Sequence, residues 1–246
     1  MTAHLTKAIV VGASSGIGEA IAKQLAQSGV TVAIVARRLP DLERLAKTMP
    51  DKLRPYQHDV EDVDAVSGLF ERIVKDLGGL DTVVYAAGVM PTVEEGEYSF
   101  DKDRKMVAVN LLGAMAWLNP TAARFEAERA GTIVGISSIA GERGRRGAPG
   151  YCTSKAALST YLESLRNRCS RYGVNVVTIK PGFVDTAMTR GKKGLFWLIS
   201  PEQAARQTIA LARRGTGAAG FVPARWALVA AVVRMIPSFV FRRMSF

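Results

Sequence analysis

The chain of 246 residues is 48% apolar and 22% charged, with a formal net charge of +11, which is long enough to bury a core and too apolar for a disordered polymer. Two cysteines, Cys152 and Cys169, without a CxxC pair, and two histidines, His4 and His58, argue against a disulfide framework, a redox dithiol, a metal site or a histidine-based triad. The charge is uneven: residues 188 to 246 hold ten of the 33 basic residues and one of the 22 acidic ones, Glu202.

The opening MTAHLTKAIVVG runs straight into a strand-like segment, without the basic, apolar and cleavage regions of a signal peptide. With no long uncharged apolar run, no ordinary transmembrane helix is predicted, and the expected location is the cytoplasm. KAIVV (7–11) predicts a first strand. A helix over 17–28 follows, with Ile17, Ala20, Ile21 and Leu25 on one face. TVAIV (31–35) precedes a helical pattern over 39–49, and LRPYQHDV (53–60) precedes one over 62–77. TVVYAAG (82–88) leads to a helix over 106–129, GTIVGIS (131–137) to one over 151–172, and NVVTI (175–179) to one over 201–214. GFV (220–222) closes the series. All but the third strand are near-continuously apolar, as strands buried on both faces are. Strand and helix alternating along one chain predict right-handed crossovers and an α/β, doubly wound parallel sheet. One domain is expected over 1–222, with 223–246 as its apolar and basic extension.

Between the first strand and helix lies GASSGIG (12–18). Gly12 permits a tight turn, Gly16 lets backbone approach a pyrophosphate, and Gly18 lets the helix pack closely. The helix N-terminus offers free N–H groups to phosphates, and Ser14 and Ser15 add hydroxyls; this turn, with Ile17, is expected to hold a dinucleotide. The second strand ends in Ala36, Arg37 and Arg38 where a ribose-binding acid would stand. Arginines there suit a 2′-phosphate, so NADP(H) is favoured over NAD(H), the alternative being arginines that merely cap a surface turn.

Tyr151 and Lys155 are four apart on a predicted helix and share a face. A neighbouring ammonium is expected to lower the phenol's pKa and make it a proton donor to a carbonyl. Ser138, at the end of the preceding strand, is placed to orient the same carbonyl oxygen. Asn110, in VAVNLLGA, is expected to link Lys155 to solvent through water.

Taken together, GASSGIG, DV (59–60), the AAG of 86–88, Asn110, ISSIAG (136–141), YCTSK (151–155) and PGFVDTAM (181–188) are collinear, and the chain resembles the short-chain dehydrogenase/reductase superfamily. The resemblance implies a Rossmann-like seven-stranded parallel sheet with helices on both faces, a nicotinamide cofactor, a tetrad of Asn110, Ser138, Tyr151 and Lys155, and a dimer or tetramer. It implies that Ser137 is the structural neighbour of Ser138 and places Asp59 and Val60 near the adenine. Ala87 and Gly88 would lie along the cofactor, and Pro181, Gly182, Val184 and Thr186 at its nicotinamide end. Lys155 would serve both the nicotinamide ribose and the tyrosine. One departure is Tyr85, where the family has an asparagine that steadies the central sheet; the partner of the Tyr85 hydroxyl is not legible in the sequence.

On the substrate side, the resemblance makes residues 188–200 a covering loop, and Leu195 to Ile199 form an apolar run that reads as a greasy lid, a membrane contact or a short helix packed on the core. Met90 and Phe183 are candidates for the pocket wall. The C-terminal ARWALVAAVVRMIPSFVFRRMSF is too interrupted to span a bilayer. It suits an anionic membrane surface, which would put the protein on the inner face of the membrane, or a subunit interface. No nucleic-acid recognition module is visible. Arg143, Arg145 and Arg146 read as a solvated face, a rim for an acidic substrate group, or a subunit contact. The functional expectation is an NADP(H)-dependent oxidoreductase acting on a lipophilic carbonyl or secondary alcohol; the alternatives are an NAD-dependent alcohol dehydrogenase and a cofactor-sensing protein without turnover.

Overall fold

A computed structural model of the chain describes residues 5–94, 96–191, 194–215 and 217–244. Its strands are sorted by side-chain alternation onto two covered faces. In β1 (Lys7–Val11), Ile9 and Val11 enter one apolar cluster while Ala8 and Val10 enter the other. In β2 (Thr31–Ala36), Ala33 and Val35 divide from Val32 and Ile34 in the same way. With β3 (Leu53–Gln57), β4 (Thr82–Tyr85), β5 (Thr132–Ile136), β6 (Asn175–Pro181) and β7 (Ala219–Val222), they form a parallel seven-stranded sheet in the order β3-β2-β1-β4-β5-β6-β7. The order reverses direction at β1 and β4, the switch point where such sheets bind ligands.

One face carries α1 (Gly16–Gln27), α2 (Leu39–Ala46) and α7 (Pro201–Arg213), through Ile21, Leu25, Leu42, Ala204 and Ala205. The other carries α3 (Val66–Leu77), α5 (Gly113–Glu128) and α6 (Pro149–Cys169), through Phe70, Ile73, Trp117, Leu158 and Leu162. The helix expected to begin at residue 106 begins earlier, as α4 (Phe100–Val107). Ser99 Oγ caps it by accepting from the Lys102 N–H (3.4 Å), and Asp101 and Asp103 lie in its first turn, where carboxylates meet the positive end of the helix dipole. Only Met106 of α4 is buried, so that stretch has no apolar period to read.

Helix α4 passes into α5 through a π-helical turn, Ala108–Leu112. Tyr85, with no exposed surface, explains why the turn holds its place. Its hydroxyl donates to the Val109 carbonyl at 2.6 Å, satisfying a buried acceptor next to the widened turn. Gly113 makes room for it, since a Cβ there would stand 2.6 Å from the Tyr85 oxygen. Among the described residues one helical run, Phe100–Glu128, is long and apolar enough to cross a membrane, but half of its apolar window is buried. Trp117, Leu118 and Phe125 are wholly inside the protein, as in a core helix.

Two short helices, α8 (Trp226–Met235) and α9 (Ser238–Phe241), end the chain. Pro237 separates them, as a residue without an N–H and with fixed φ does.

Removing the Tyr85 hydroxyl leaves the Val109 carbonyl buried without its donor. Tyr85→Phe is expected to cost about 1–3 kcal/mol in urea unfolding. An unchanged midpoint would mean that this hydrogen bond does not hold the π-turn.

Candidate active site

The turn after β1 is built for close approach. Gly12 has φ +89° and Gly16 φ +60°, and a Cβ on Gly18 would run into the Gly12 carbonyl. A Cβ on Gly12 would lie 2.6 Å from the Ala87 Cα, so Ala87 borders the turn. Ser15 occupies the N-cap of α1 but makes no side-chain capping bond; the first N–H groups of the helix therefore lack the partner a cap supplies. The chemistry of this donor set, uncapped N–H groups at a positive helix end above a glycine turn, fits a dinucleotide pyrophosphate. Thr186 reaches the same turn from far along the chain: its Cγ2 is 3.2 Å from where a Gly16 Cβ would be. Val184 is buried and bridges to Ile199.

The paired arginines part company. Arg38 Nη2 lies 3.3 Å from Ser15 Oγ, with Nε held by Asp41 at 2.5 Å. The Arg38 guanidinium thus stands beside the glycine turn. Arg37 turns toward Asp59 (3.5 Å). It lines an open cleft of about 490 Å³ with His58, Asp59 and Arg72.

The second half of the site is set by how closely α6 lies on β5. Gly135 has no side chain, and a Cβ there would stand 2.8 Å from Leu162 Cδ2. Gly141 is similarly pressed, its would-be Cβ 2.8 Å from the Lys155 carbonyl carbon. Ser137 Oγ donates to the Lys155 carbonyl (2.9 Å) and shares a hydrogen bond with Ser159 Oγ (2.7 Å). Ser138 caps the short 3-10 turn Ile139–Glu142, its Oγ accepting from the Ala140 N–H at 3.0 Å. Its hydroxyl is also near enough to the Tyr151 phenol to favour the phenolate. The structure thus brings Ser138, Tyr151 and Lys155 to one buried place, with 8%, 8% and 4% of their surfaces exposed. Gly88 is the floor: a Cβ on it would be 3.4 Å from both Asn110 Oδ1 and Lys155 Nζ.

One expectation needs correcting. Tyr151 is not drawn down by Lys155. Burial pushes the phenol above its ordinary value, and the Ser138 hydroxyl and the Arg145 charge only oppose this. The Lys155 ammonium lies 5.9 Å from the Tyr151 ring centre and donates to the Ile136 carbonyl at 2.9 Å. The Asn110 side chain has partners of its own. Its Oδ1 accepts from the Val89 N–H (2.7 Å), and its Nδ2 donates to the Val89 carbonyl and to Ser154 Oγ (each 3.0 Å). Asn110 therefore ties the end of β4 to α6 from the π-turn, a kind of helix irregularity frequent at functional sites. Ser154, buried and bonded to the Tyr151 carbonyl at 2.9 Å, was missed by sequence reasoning; its place three residues after Tyr151 on one helix was the available signal.

The covering loop is not a short helix. Residues 194–199 are extended or bent; Lys192 and Lys193 lie outside the described residues. Ile199 is buried, while Phe196, Trp197 and Leu198 stay substantially exposed. Phe196 stacks on Trp226 of α8 (5.0 Å, 30°), and Phe183 meets both rings edge-on (5.7 and 5.3 Å). The apolar run is thus partly spent in an aromatic cluster that joins lid, Phe183 and C-terminus. Nor are the three loop arginines one solvated face. Arg143 is bonded to α8, and Arg145 acts on Tyr151 while its own Nε is buried without a hydrogen-bond partner.

The family model described as short chain dehydrogenase matches residues 6–194. A Myxococcus xanthus protein named as an uncharacterized oxidoreductase is 39% identical over 185 residues, 74% of this chain and 73% of that protein. Among solved structures, a 3-oxoacyl-[acyl-carrier protein] reductase from Brucella melitensis matches with a TM-score of 0.78 and 26% identity, over 88% of this chain and 89% of its own. ElxO with NADP bound matches with a TM-score of 0.80 at 22% identity, over 89% and 97%, a likeness of fold.

Burial holds the Lys155 ammonium down to about 8 from its ordinary 10.5. Between those values the folded chain binds fewer protons at this site than the unfolded one, so stability rises with pH across the window and the penalty is complete below it. Lys155→Met is expected to raise the melting temperature at pH 7, with the gain shrinking as pH approaches 10.5. A gain that does not vary with pH would show that burial of the charge is not its origin.

Proposed function

This chain belongs to the short-chain dehydrogenase family, an NAD(P)-dependent oxidoreductase, and we propose that it uses NADPH to reduce the carbonyl of a lipophilic substrate. The observation that carries this reading is the burial of Ser138, Tyr151 and Lys155 in one place, with the Lys155 amine 5.9 Å from the Tyr151 ring centre. Bound nicotinamide supplies the hydride. The glycine turn with Ser14, Ser15 and Ile17 would hold the pyrophosphate. Asp59, Val60, Ala87 and Gly88 would border the adenosine side. Pro181, Gly182, Val184 and Thr186 would border the nicotinamide side, with Lys155. Arg38, beside Ser15, supports a 2′-phosphate there, and with it NADPH; the NADP in the ElxO structure accords with this choice.

Ser138 Oγ orients the substrate carbonyl oxygen, and Tyr151 Oη donates the proton that oxygen takes up. A phenol raised by burial is fully protonated at neutral pH, as a donor must be. After donation the phenolate is stabilised by the Ser138 hydroxyl and the Arg145 charge, and Lys155 supplies a second cation nearby. Asn110 and Ser154 keep α6 and the end of β4 in register around this pair.

The aromatic cluster of Phe183, Phe196 and Trp226 supports a lipophilic substrate, such as a steroid ketone or a long-chain keto or acyl compound. We place the protein in the cytoplasm as a dimer or tetramer. Leu228, Val232 and Met235 recur at helical spacing and are 70%, 48% and 74% exposed. Beside them Arg225, Arg242 and Arg243 suit anionic headgroups, which supports attachment to the inner face of a membrane.

The test is NADPH oxidation with a panel of phenanthrenequinone, a steroid ketone and a long-chain 3-oxoacyl thioester. Tyr151→Phe is expected to lower kcat at least about a hundredfold with NADPH affinity nearly unchanged; unaltered turnover removes the role given to Tyr151. Arg38→Ala is expected to raise the KM for NADPH roughly tenfold or more through a lost charge-assisted bond, leaving that for NADH unaffected. A wild type that prefers NADH refutes the cofactor assignment. In sedimentation with phosphatidylserine vesicles, the double variant Leu228→Glu/Met235→Glu should lose binding that the wild type shows, and equal recovery of both counts against the membrane.

A further inference from the structure

The loop between Ser138 and Tyr151 packs on α6 at Ala140 and Gly141 but is open at Gly144 and Gly147. It carries Gly141, Gly144 and Gly147, and a Cβ on either of the last two would meet nothing within 4 Å. Glycines in open space leave a loop with much conformational freedom to lose. Yet this loop must hold Ser138 against Tyr151 within hydrogen-bonding tolerance.

What fixes it comes from the far end of the chain. Arg143 donates through Nη1 to the carbonyls of Val233 (2.8 Å) and Ile236, and through Nη2 to Ser238 Oγ (3.3 Å). Its guanidinium also sits 4.2 Å from the Phe241 ring centre. Those carbonyls close α8, where the last turn lacks intrahelical donors and the dipole favours a cation. The neighbouring Glu142 has a side chain only 3% exposed, and it pairs with Lys180 (2.6 Å) and with Arg234 of α8. Lys180 immediately precedes Pro181 and Gly182 on β6. At Gly182 the contact is direct: any Cβ would collide with the Trp226 indole. Two adjacent residues of the catalytic loop thus connect the segment after Ser138, the segment at the nicotinamide end and the C-terminal helices.

We infer that residues 226–241 brace the active site, with Arg143 and Glu142 as positioning residues that hold Ser138 in register with Tyr151 and the Pro181–Gly182 segment. This rests on the reading of Ser138 and Tyr151 given above. Neither Arg143 nor Glu142 touches the reacting atoms; both act through the backbone that carries Ser138. Trp226 joins the lid to the same brace through its stack on Phe196.

The experiment compares wild type, Arg143→Ala, Arg143→Lys, Arg234→Gln and Ser138→Ala. Three quantities are read: kcat and KM with NADPH and phenanthrenequinone, NADPH affinity from nucleotide fluorescence, and amide exchange over residues 137–148 in the nucleotide-free protein. Arg143→Ala is expected to lower kcat about tenfold or more, since small misplacements of positioned groups cost that much. NADPH affinity should stay within about twofold of wild type, because the glycine turn is untouched. Exchange over 137–148 should quicken, while exchange in β1 and α1 should not. Arg143→Lys keeps the charge but not the forked donors and should recover part of the loss. Arg234 is 55% exposed, so Arg234→Gln should fold and move the same quantities less. If Arg143→Ala does not fold, the lysine and Arg234 variants decide. Unchanged kcat in folded variants, with or without faster exchange, overturns the inference, since the brace would then be merely structural. Full turnover in Ser138→Ala would instead remove the underlying reading of the site, with the exchange data still reporting on the brace.

Discussion

The close seating of α6 on β5 is the constraint from which the candidate site follows. A strand and a helix normally stand apart by the depth of two side chains. Here Gly135 removes one of those layers, and Gly141 lets the turn after Ser138 rest on the backbone of Lys155. Ser137 then fastens strand to helix through the Lys155 carbonyl. With that distance fixed, Ser138 and Tyr151 are buried side by side although thirteen positions part them, and the Lys155 amine reaches the Ile136 carbonyl on the same strand. The reacting groups therefore owe their geometry to residues with little or no side chain.

The same seating sets the electrostatics. Burial favours the neutral form of both the phenol and the amine, raising one and lowering the other. A neutral phenol is a proton donor in waiting, and an amine that titrates near 8 can change charge close to working pH. The compensating positive field comes from Arg145, in the loop whose basic residues looked in the sequence like a solvated patch.

What was legible in the sequence was whatever local pattern dictates. Uninterrupted apolar runs announced strands covered on both faces. The spacing of Gly12, Gly16 and Gly18 announced the tight turn after β1, and the four-residue step from Tyr151 to Lys155 announced a shared helical face. What was illegible depends on partners remote in the chain. Arg143 bonds to residues 90 or more positions away. The apolar run 195–199 is held by the Phe196 stack on Trp226 and by the Val184–Ile199 bridge, so it does not form the short helix its composition also allowed. The polar first turns of α4 have no apolar rhythm and are fixed by a cap and acidic residues instead. The direction of the Tyr151 shift depended on depth of burial, which spacing along a helix does not reveal.

Tyr85 and Gly113 carry a consequence for how such a chain can vary. The tyrosine ring fills the centre of one face, its hydroxyl serves Val109, and Gly113 keeps the space that hydroxyl occupies. An asparagine at position 85 would empty a ring-sized volume and strand the Val109 carbonyl. Adding a methyl at position 113 would press on both Tyr85 and the Val60 carbonyl. Each residue has become costly to change while the other stays. The two positions are coupled, and a graft of this π-turn onto a related scaffold has to move both together.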